Sequence, residues 1–283
     1  MLLTAPEIYL HIKSVFEKNG IESPQFEAMC LIEHIFGKKL SSLLLTKPEA
    51  TQEQITFANN IAYRRITGEP LQYLLGEWEF YGMPFYVGKG VLIPRQDTET
   101  LVEAVINAAE KYERPKIIDL CSGSGCIACA VAKYVKNADV YALEISERAL
   151  GYLNKNIEKN KVSVKVTEAD VLSEKLPSEC NTLFDIIVSN PPYLTKSDMQ
   201  SLQKEVTFEP EMALFGGEDG LHFYREITRI WKNYLSTGGM LAFEIGMGQH
   251  DDVREIMNEN NFGNIEFIED LCGIIRVVTG IKK

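Results

Sequence analysis

The sequence predicts an α/β protein in which a doubly wound sheet follows a small all-helical domain, and three observations carry that prediction. Helix-period apolar patterns fill the first third with no strand pattern between them. An aromatic and glycine-rich stretch, LGEWEFYGMPFYVGKGVLIP, then changes the texture and reads as a hairpin. After Thr98, near-continuous apolar segments alternate with amphipathic helices, the pattern of a parallel sheet covered on both faces.

Each element has its own signal. Thr4 and Glu7 make a capping box for a first helix with Ile8, Ile12, Val15 and Phe16 on its apolar face, and Asn19-Gly20 stops it. Ser23-Pro24 opens a second helix burying Ala28, Leu31, Ile32 and Ile35. Thr51 with Gln54 opens another, which carries Ile55, Ala58, Ala62 and Ile66 and ends at Gly68. The strand segments are KIIDL, DVYALE, VSVKVTEAD, FDIIVSN, GGMLAFEIG, NIEFIED and GIIRVVTG, seven in all. Helical stretches at TETLVEAVINAA, CIACAVAKYV, SERALGYLNKNI, HFYREITRIWKNYL and DDVREIMNEN accompany them. No helix separates the last two strands, so an antiparallel edge is expected. The domains are then residues 1–72 (helical), 73–94 (hairpin linker) and 95–283 (sheet).

Composition narrows the function. With 45% hydrophobic and 24% charged residues the chain belongs to the soluble globular class. Its 29 Lys and Arg against 40 Asp and Glu give a net charge of -11, the wrong sign for neutralising a row of phosphates, so no direct nucleic-acid partner is expected. Glu7, Lys13, Glu17 and Lys18 break any signal-peptide pattern, and no apolar run approaches the roughly 20 residues that span a bilayer. A cytoplasmic monomer without membrane contact is expected. The six cysteines, irregularly spaced, read as reduced and buried.

KIIDL runs directly into CSGSGC and a helix, so Gly123 and Gly125 allow a tight turn at a helix N-terminus, where a nucleotide-type ligand can approach the backbone. Glu144, at the end of DVYALE, is placed to accept hydrogen bonds from ribose hydroxyls. This pattern alone fits S-adenosylmethionine and NAD equally. Cys121, Cys126 and Cys129 have the spacing of an iron-sulfur site, but two of them fall on an apolar helix and no fourth follows closely. His11, His34, His222 and His250 show no metal-ligand spacing, and no metal is expected.

The more specific signal is FDIIVSN followed by Pro191-Pro192-Tyr193, which sets Asn190 at the carboxyl end of a buried strand, where open sheets bind ligands. Two prolines stiffen the turn and remove two N–H donors, so it presents acceptors. A planar NH2 group can give one N–H to the Asn190 side-chain oxygen and one to the Pro191 carbonyl, while Tyr193 stacks on its plane. A DNA adenine methyltransferase, with Tyr193 against a flipped base, would use the same motif. A non-catalytic binding module for the translation machinery and an NAD oxidoreductase are further readings; the latter lacks an acid or base beside the loop.

DLCSGSG, ALE, EAD and SNPPY, with VLIPRQDTE upstream and FEPEMALFGGEDGL downstream, resemble the peptide chain release factor N5-glutamine methyltransferase family over nearly the whole chain. SNPPY with an IPR segment is also similar to ribosomal-protein glutamine methyltransferases. Asp97, Thr98 and Glu99 after Ile93-Pro94-Arg95 favour the release-factor branch. The resemblance implies that residues 1–72 serve substrate recognition and that a Rossmann-like, seven-stranded domain uses S-adenosylmethionine to methylate the Gly-Gly-Gln glutamine of class 1 release factors. It also implies that Asp119, Cys121, Ser122, Gly123, Ser124 and Gly125 hold the donor, Glu144 its ribose, and Asp170 and Val171 its adenine. Asn190, Pro191, Pro192 and Tyr193 would bind the glutamine, with Asn190, Pro191 and Tyr193 catalytic and Asn190 also touching the donor. Two positions depart from the family: Cys121, where it usually has glycine, and Gln96, where it often has proline. A cysteine side chain needs room there, so a slightly shifted loop is expected.

Overall fold

The computed structural model describes residues 3–175, 178–180 and 182–283, which form two compact units. The helical unit comprises Met1–Gly76 together with Gln203–Phe208, and the sheet unit the remainder.

The helical unit contains α1 (Ala5–Lys18), α2 (Pro24–Phe36), α3 (Leu40–Thr46), α4 (Gln52–Ile66) and α5 (Leu71–Leu75). The Thr4 N–H donates to Glu7 Oε2 at 2.8 Å, and at α4 Gln54 N–H and Thr51 Oγ1 meet at 3.2 Å. Ile8, Ile12, Phe16, Leu31, Ile32 and Ile61 form the core of this unit. Short α3 and α5 carry no capping signature, Lys39 and Pro70 standing at their N-caps, and are not legible in the sequence. Arg65, 7% exposed, is held by Glu27 at 2.6 and 2.9 Å and by Glu205 at 2.6 Å. A guanidinium buried to this degree needs more than one carboxylate contact, and Glu205 supplies it from a segment remote in sequence.

The sheet unit begins with a hairpin of β1 (Glu77–Phe80) and β2 (Met83–Tyr86). Its two-residue turn, Tyr81-Gly82, has φ of 51° and 68°, as a tight hairpin of primed type requires. The hairpin is fastened by Asn156, which accepts from Tyr86 N–H at 2.6 Å and donates to the carbonyls of Tyr86 at 3.1 Å and Ser124 at 2.9 Å.

The large sheet is built from β3 (Lys116–Leu120), β4 (Asp139–Glu144), β5 (Lys165–Glu168), β6 (Phe184–Ser189), β7 (Leu235–Glu244), β8 (Phe262–Glu269) and β9 (Ile275–Lys282). Its strand order is β5-β4-β3-β6-β7-β9-β8. The first five strands in this order pair in parallel, while β9 is antiparallel to both β7 and β8, so the expected seven strands and antiparallel edge are present. Edge strand β5 is shorter than VSVKVTEAD, ordering only the residues that pair with β4.

Helices cover both faces. Alternation along the strands sends Ile117, Ile186, Val188 and Ala242 to one side, where they meet Leu101 and Val105 of α6 (Asp97–Ala109), Ile127 of α7 (Cys126–Tyr134) and Leu153 of α8 (Glu147–Asn160). Ile118, Leu120, Ile187 and Phe243 face the other side. Beyond the short α9 (Lys196–Met199), they pack on Tyr224 and Trp231 of α10 (His222–Trp231) and on Val253 and Met257 of α11 (His250–Glu259). Of the six cysteines Cys126, Cys129 and Cys180 are buried and Cys30 and Cys121 partly so; Cys272, expected inside, is exposed. Among the described residues no helix is long and apolar enough to cross a membrane, and no group of His, Cys, Asp and Glu has the arrangement of a metal site.

Candidate active site

Strand order reverses between β3 and β6, whose last residues Leu120 and Ser189 are paired in register. The glycine loop and the Asn190–Tyr193 turn therefore leave the sheet side by side, at the crevice where such sheets bind ligands. Ser189 Oγ donates to the Leu120 carbonyl at 2.7 Å and ties the two exits together.

In the glycine loop Cys121, Gly123 and Gly125 all have left-handed backbone, with φ of 60°, 54° and 78°. A Cβ on Gly125 would lie 2.1 Å from Leu153 Cδ1, so glycine is required for space as well as conformation. The Glu144 carboxylate organises the loop: Oε2 accepts from Gly123 N–H at 2.7 Å, and Oε1 from Ile145 and Ser146 N–H at 2.9 and 2.8 Å. Asp119 sits behind the loop, 1% exposed, with Oδ2 accepting from Ala128 N–H at 3.2 Å in the first turn of α7.

On the other side, Asn190 Nδ2 donates to Thr98 Oγ1 at 3.3 Å, and no described residue donates to Asn190 Oδ1. The turn is clamped from two directions. Leu194 N–H donates to the Leu214 carbonyl at 2.9 Å and Gly216 N–H to the Leu194 carbonyl at 2.8 Å. A Cβ on Gly216 would fall 2.6 Å from the Pro192 carbonyl oxygen, which explains a glycine in FGGEDG. From the N-cap of α11, Gln249 Nε2 donates to the Tyr193 carbonyl at 3.1 Å.

These elements enclose a cavity of about 710 Å³. Cys121, Ser122, Gly123, Ser124, Glu144, Asp170, Val171, Asn190 and Pro192 line it; Asp119, Gly125, Pro191 and Tyr193 do not. Burial pushes the Tyr193 hydroxyl well above its usual range, with Glu244 adding to the effect. The wall also takes in Arg95, Thr98, Ile145, Met212, Phe215 and His222, whose places are not legible in the sequence. Glu209 explains one of them: it accepts from Ile93 N–H at 3.0 Å and pairs with Arg95, drawing the IPR segment to the FEPEMA segment.

Two consequences concern stability. Cys121 is a non-glycine residue in the left-handed region, which costs an L-residue roughly 1–2 kcal/mol. Cys121→Gly is expected to stabilise the protein by up to about 1 kcal/mol, part of the relief being offset by the freer unfolded chain. A thermal melt checks this, and an unchanged or lower Tm would mean that thiol packing outweighs the backbone strain.

Asp119 is the second case. Burial pushes its carboxyl up to about 8, and Oδ1 has no partner among the described residues. The folded chain therefore holds a proton that the unfolded chain releases near the ordinary value of 3.8. This contribution to stability is full below that pH and is lost as pH rises through about 8. Asp119→Asn, which keeps an acceptor and no charge, is expected to melt higher than wild type at pH 8–9 and level with it near pH 4. Parallel melting curves across that range would disprove it.

Residues 96–213 match the family model described as methyltransferase small domain, and residues 7–76 the PrmC N-terminal domain. A release factor glutamine methyltransferase of Flavobacterium psychrophilum is 40% identical, covering 94% of this chain and 94% of its own. That of Clostridium acetobutylicum is 36% identical over 95% of each chain. Among solved structures, the T. Thermophilus 16S rRNA N2 G1207 methyltransferase in complex with AdoMet and guanosine shares the fold, with a TM-score of 0.53 and 19% identity over 73% of this chain and 50% of that one. With such identity over nearly the full length of its relatives, the chain belongs to the release factor glutamine methyltransferase family.

Proposed function

We propose that this protein transfers a methyl group from S-adenosylmethionine to the side-chain amide nitrogen of the Gly-Gly-Gln glutamine in class 1 peptide chain release factors. The observation that carries the reading is Asn190: it lines the cavity, its NH2 is turned to Thr98, and its oxygen takes no hydrogen bond from any described residue. An acceptor offered in this way suits a substrate NH2. The Pro191 carbonyl, joined to the Pro192 ring on the wall and without a partner among the described residues, is the second acceptor.

The wall fits the donor. A left-handed glycine loop leaves close approach to the backbone, Glu144 closes β4 beside it, and Asp170 stands among the apolar Ile145, Val171 and Leu172. Glu144 uses its oxygens on three N–H groups yet retains lone pairs for ribose hydroxyls. When bound, the donor supplies an electrophilic methyl group on a sulfonium. The protein's share is orientation: Asn190 and Pro191 hold the amide nitrogen with its plane fixed, so the two reactants meet in line. No strong base is required, because a methylated amide nitrogen is acidic and releases its proton to water. Tyr193 acts from within the turn, its carbonyl held by Gln249.

The same reading has the protein working as a cytoplasmic monomer that recognises protein and binds no nucleic acid directly, in keeping with its net charge of -11. Incubation with labelled S-adenosylmethionine and purified release factor, followed by mass-spectrometric mapping, tests the proposal. Label on the Gly-Gly-Gln glutamine is expected; label only on ribosomal protein or DNA would overturn it.

A further inference from the structure

The last residue of β7, Glu244, is 2% exposed and follows Phe243, whose register partner on β6 is Ser189, so it stands beside Asn190 of the cavity wall. Residues 190 and 244 fall on the sheet face that α6 covers, and the nearby Thr98 hydroxyl and Asn190 amide favour the charged form of the Glu244 carboxyl. Thr98 Oγ1 in turn receives Asn190 Nδ2 at 3.3 Å. Oε2 is buried and has no partner among the described residues, so acceptor capacity remains beside these two donors.

An asparagine side chain offers oxygen and NH2 in nearly the same shape, and only its neighbours decide which faces the cavity. A carboxylate settles that choice, because turning the Asn190 oxygen inward would set it against a negative charge with no donor between them. We propose that Glu244 is a positioning residue: with Thr98 it holds the Asn190 NH2 and so keeps Asn190 Oδ1 facing the cavity as the acceptor. This inference rests on the methyl-transfer reading, and it adds a residue that touches neither donor nor substrate.

The arrangement depends on pH. Burial raises the Glu244 carboxyl to about 7, against the Thr98 and Asn190 donors that favour its charge. Asp97 from α6 raises it further and Arg276 from β9 lowers it, the two being paired at 3.1 Å. Tyr193, Tyr224 of α10 and Cys126 of α7 also feel its charge, and all three stay protonated there because burial raises them. Once protonated, Glu244 can donate to the Asn190 oxygen, and the bias on the amide is lost.

Two measurements decide the matter. In the protein alone, the side-chain NH2 resonance of Asn190, identified by its loss in Asn190→Ala, is expected to shift with a midpoint near pH 7 and to stop doing so in Glu244→Gln. Under saturating donor and release factor, Glu244→Gln is expected to slow single-turnover methylation roughly 10-fold, the lower end for outer-shell partners of reactive groups, and to lose the wild-type rise in rate through neutral pH. Donor affinity should not change. Thr98→Val should slow the reaction similarly and Thr98→Ser restore it, with melts confirming the fold. An Asn190 resonance indifferent to pH in wild type, or a Glu244→Gln enzyme with wild-type rate and profile, would overturn the proposal. If wild type leaves the release factor unmethylated, the function reading fails while the resonance titration still decides the role of Glu244.

Discussion

Replacing Asn190 by alanine is expected to slow single-turnover methyl transfer by about 10² to 10³, the usual loss when one preorganised polar group is removed from a reacting centre. As the methyl group arrives, positive charge gathers on the amide nitrogen and its N–H bonds become stronger donors. An acceptor fixed beforehand thus stabilises the transition state more than the bound substrate. The loss should fall on the rate and leave donor affinity largely intact, and stability should change little because Asn190 is only partly buried. Asn190→Asp should fare no better than alanine: it removes the NH2 that engages Thr98 and places a second acid against Glu244. The measurement is methylation at saturating donor and release factor, with folding checked by melt. A well-folded Asn190→Ala protein working at close to the wild-type rate would show that the substrate amide is gripped elsewhere.

The second large effect is expected at Glu144, with the opposite signature. Glu144→Ala removes the acceptor proposed for the ribose and also strips three backbone N–H groups, those of Gly123, Ile145 and Ser146, of their partner. A hydrogen bond to a charged group contributes about 1.5–3 kcal/mol, so donor affinity should fall roughly 10- to 100-fold through the ribose alone. Loosening of the glycine loop adds to that. Glu144→Gln keeps one acceptor oxygen and should lie between alanine and wild type. Calorimetric titration with S-adenosylmethionine is the test, and wild-type affinity in folded Glu144→Ala would place the ribose on other residues.

The parts of the fold legible in the sequence are those whose signal is local. KIIDL, DVYALE and FDIIVSN read as buried strands because both faces of each are covered, and Thr4 and Thr51 mark helix starts because each cap closes on a residue three positions away. α3 and α5 escape because short helices without caps are stabilised by tertiary packing, which leaves no periodic trace. The candidate site divides in the same way. Gly123, Glu144 and Asn190 stand at strand ends and declare themselves, whereas Thr98, Glu209 and Glu244 matter only through partners distant in sequence. Glu244 did carry one signal: like Glu144, it is an acid closing an otherwise apolar strand. The left-handed backbone at Cys121 gives a physical reason for the glycine usual there in the family.

The ion pair between Arg65 and Glu205 has a consequence for anyone wishing to take the molecule apart. Because Gln203–Phe208 belongs to the helical unit while its flanks belong to the other, the chain passes between the units at 76/77, 202/203 and 208/209. The N-terminal region is therefore not a detachable module: a fragment ending at residue 76 retains Glu27 but takes Arg65 away from Glu205. Exchange of this region between relatives would have to carry two separate stretches of sequence, and a single recombination point cannot deliver both.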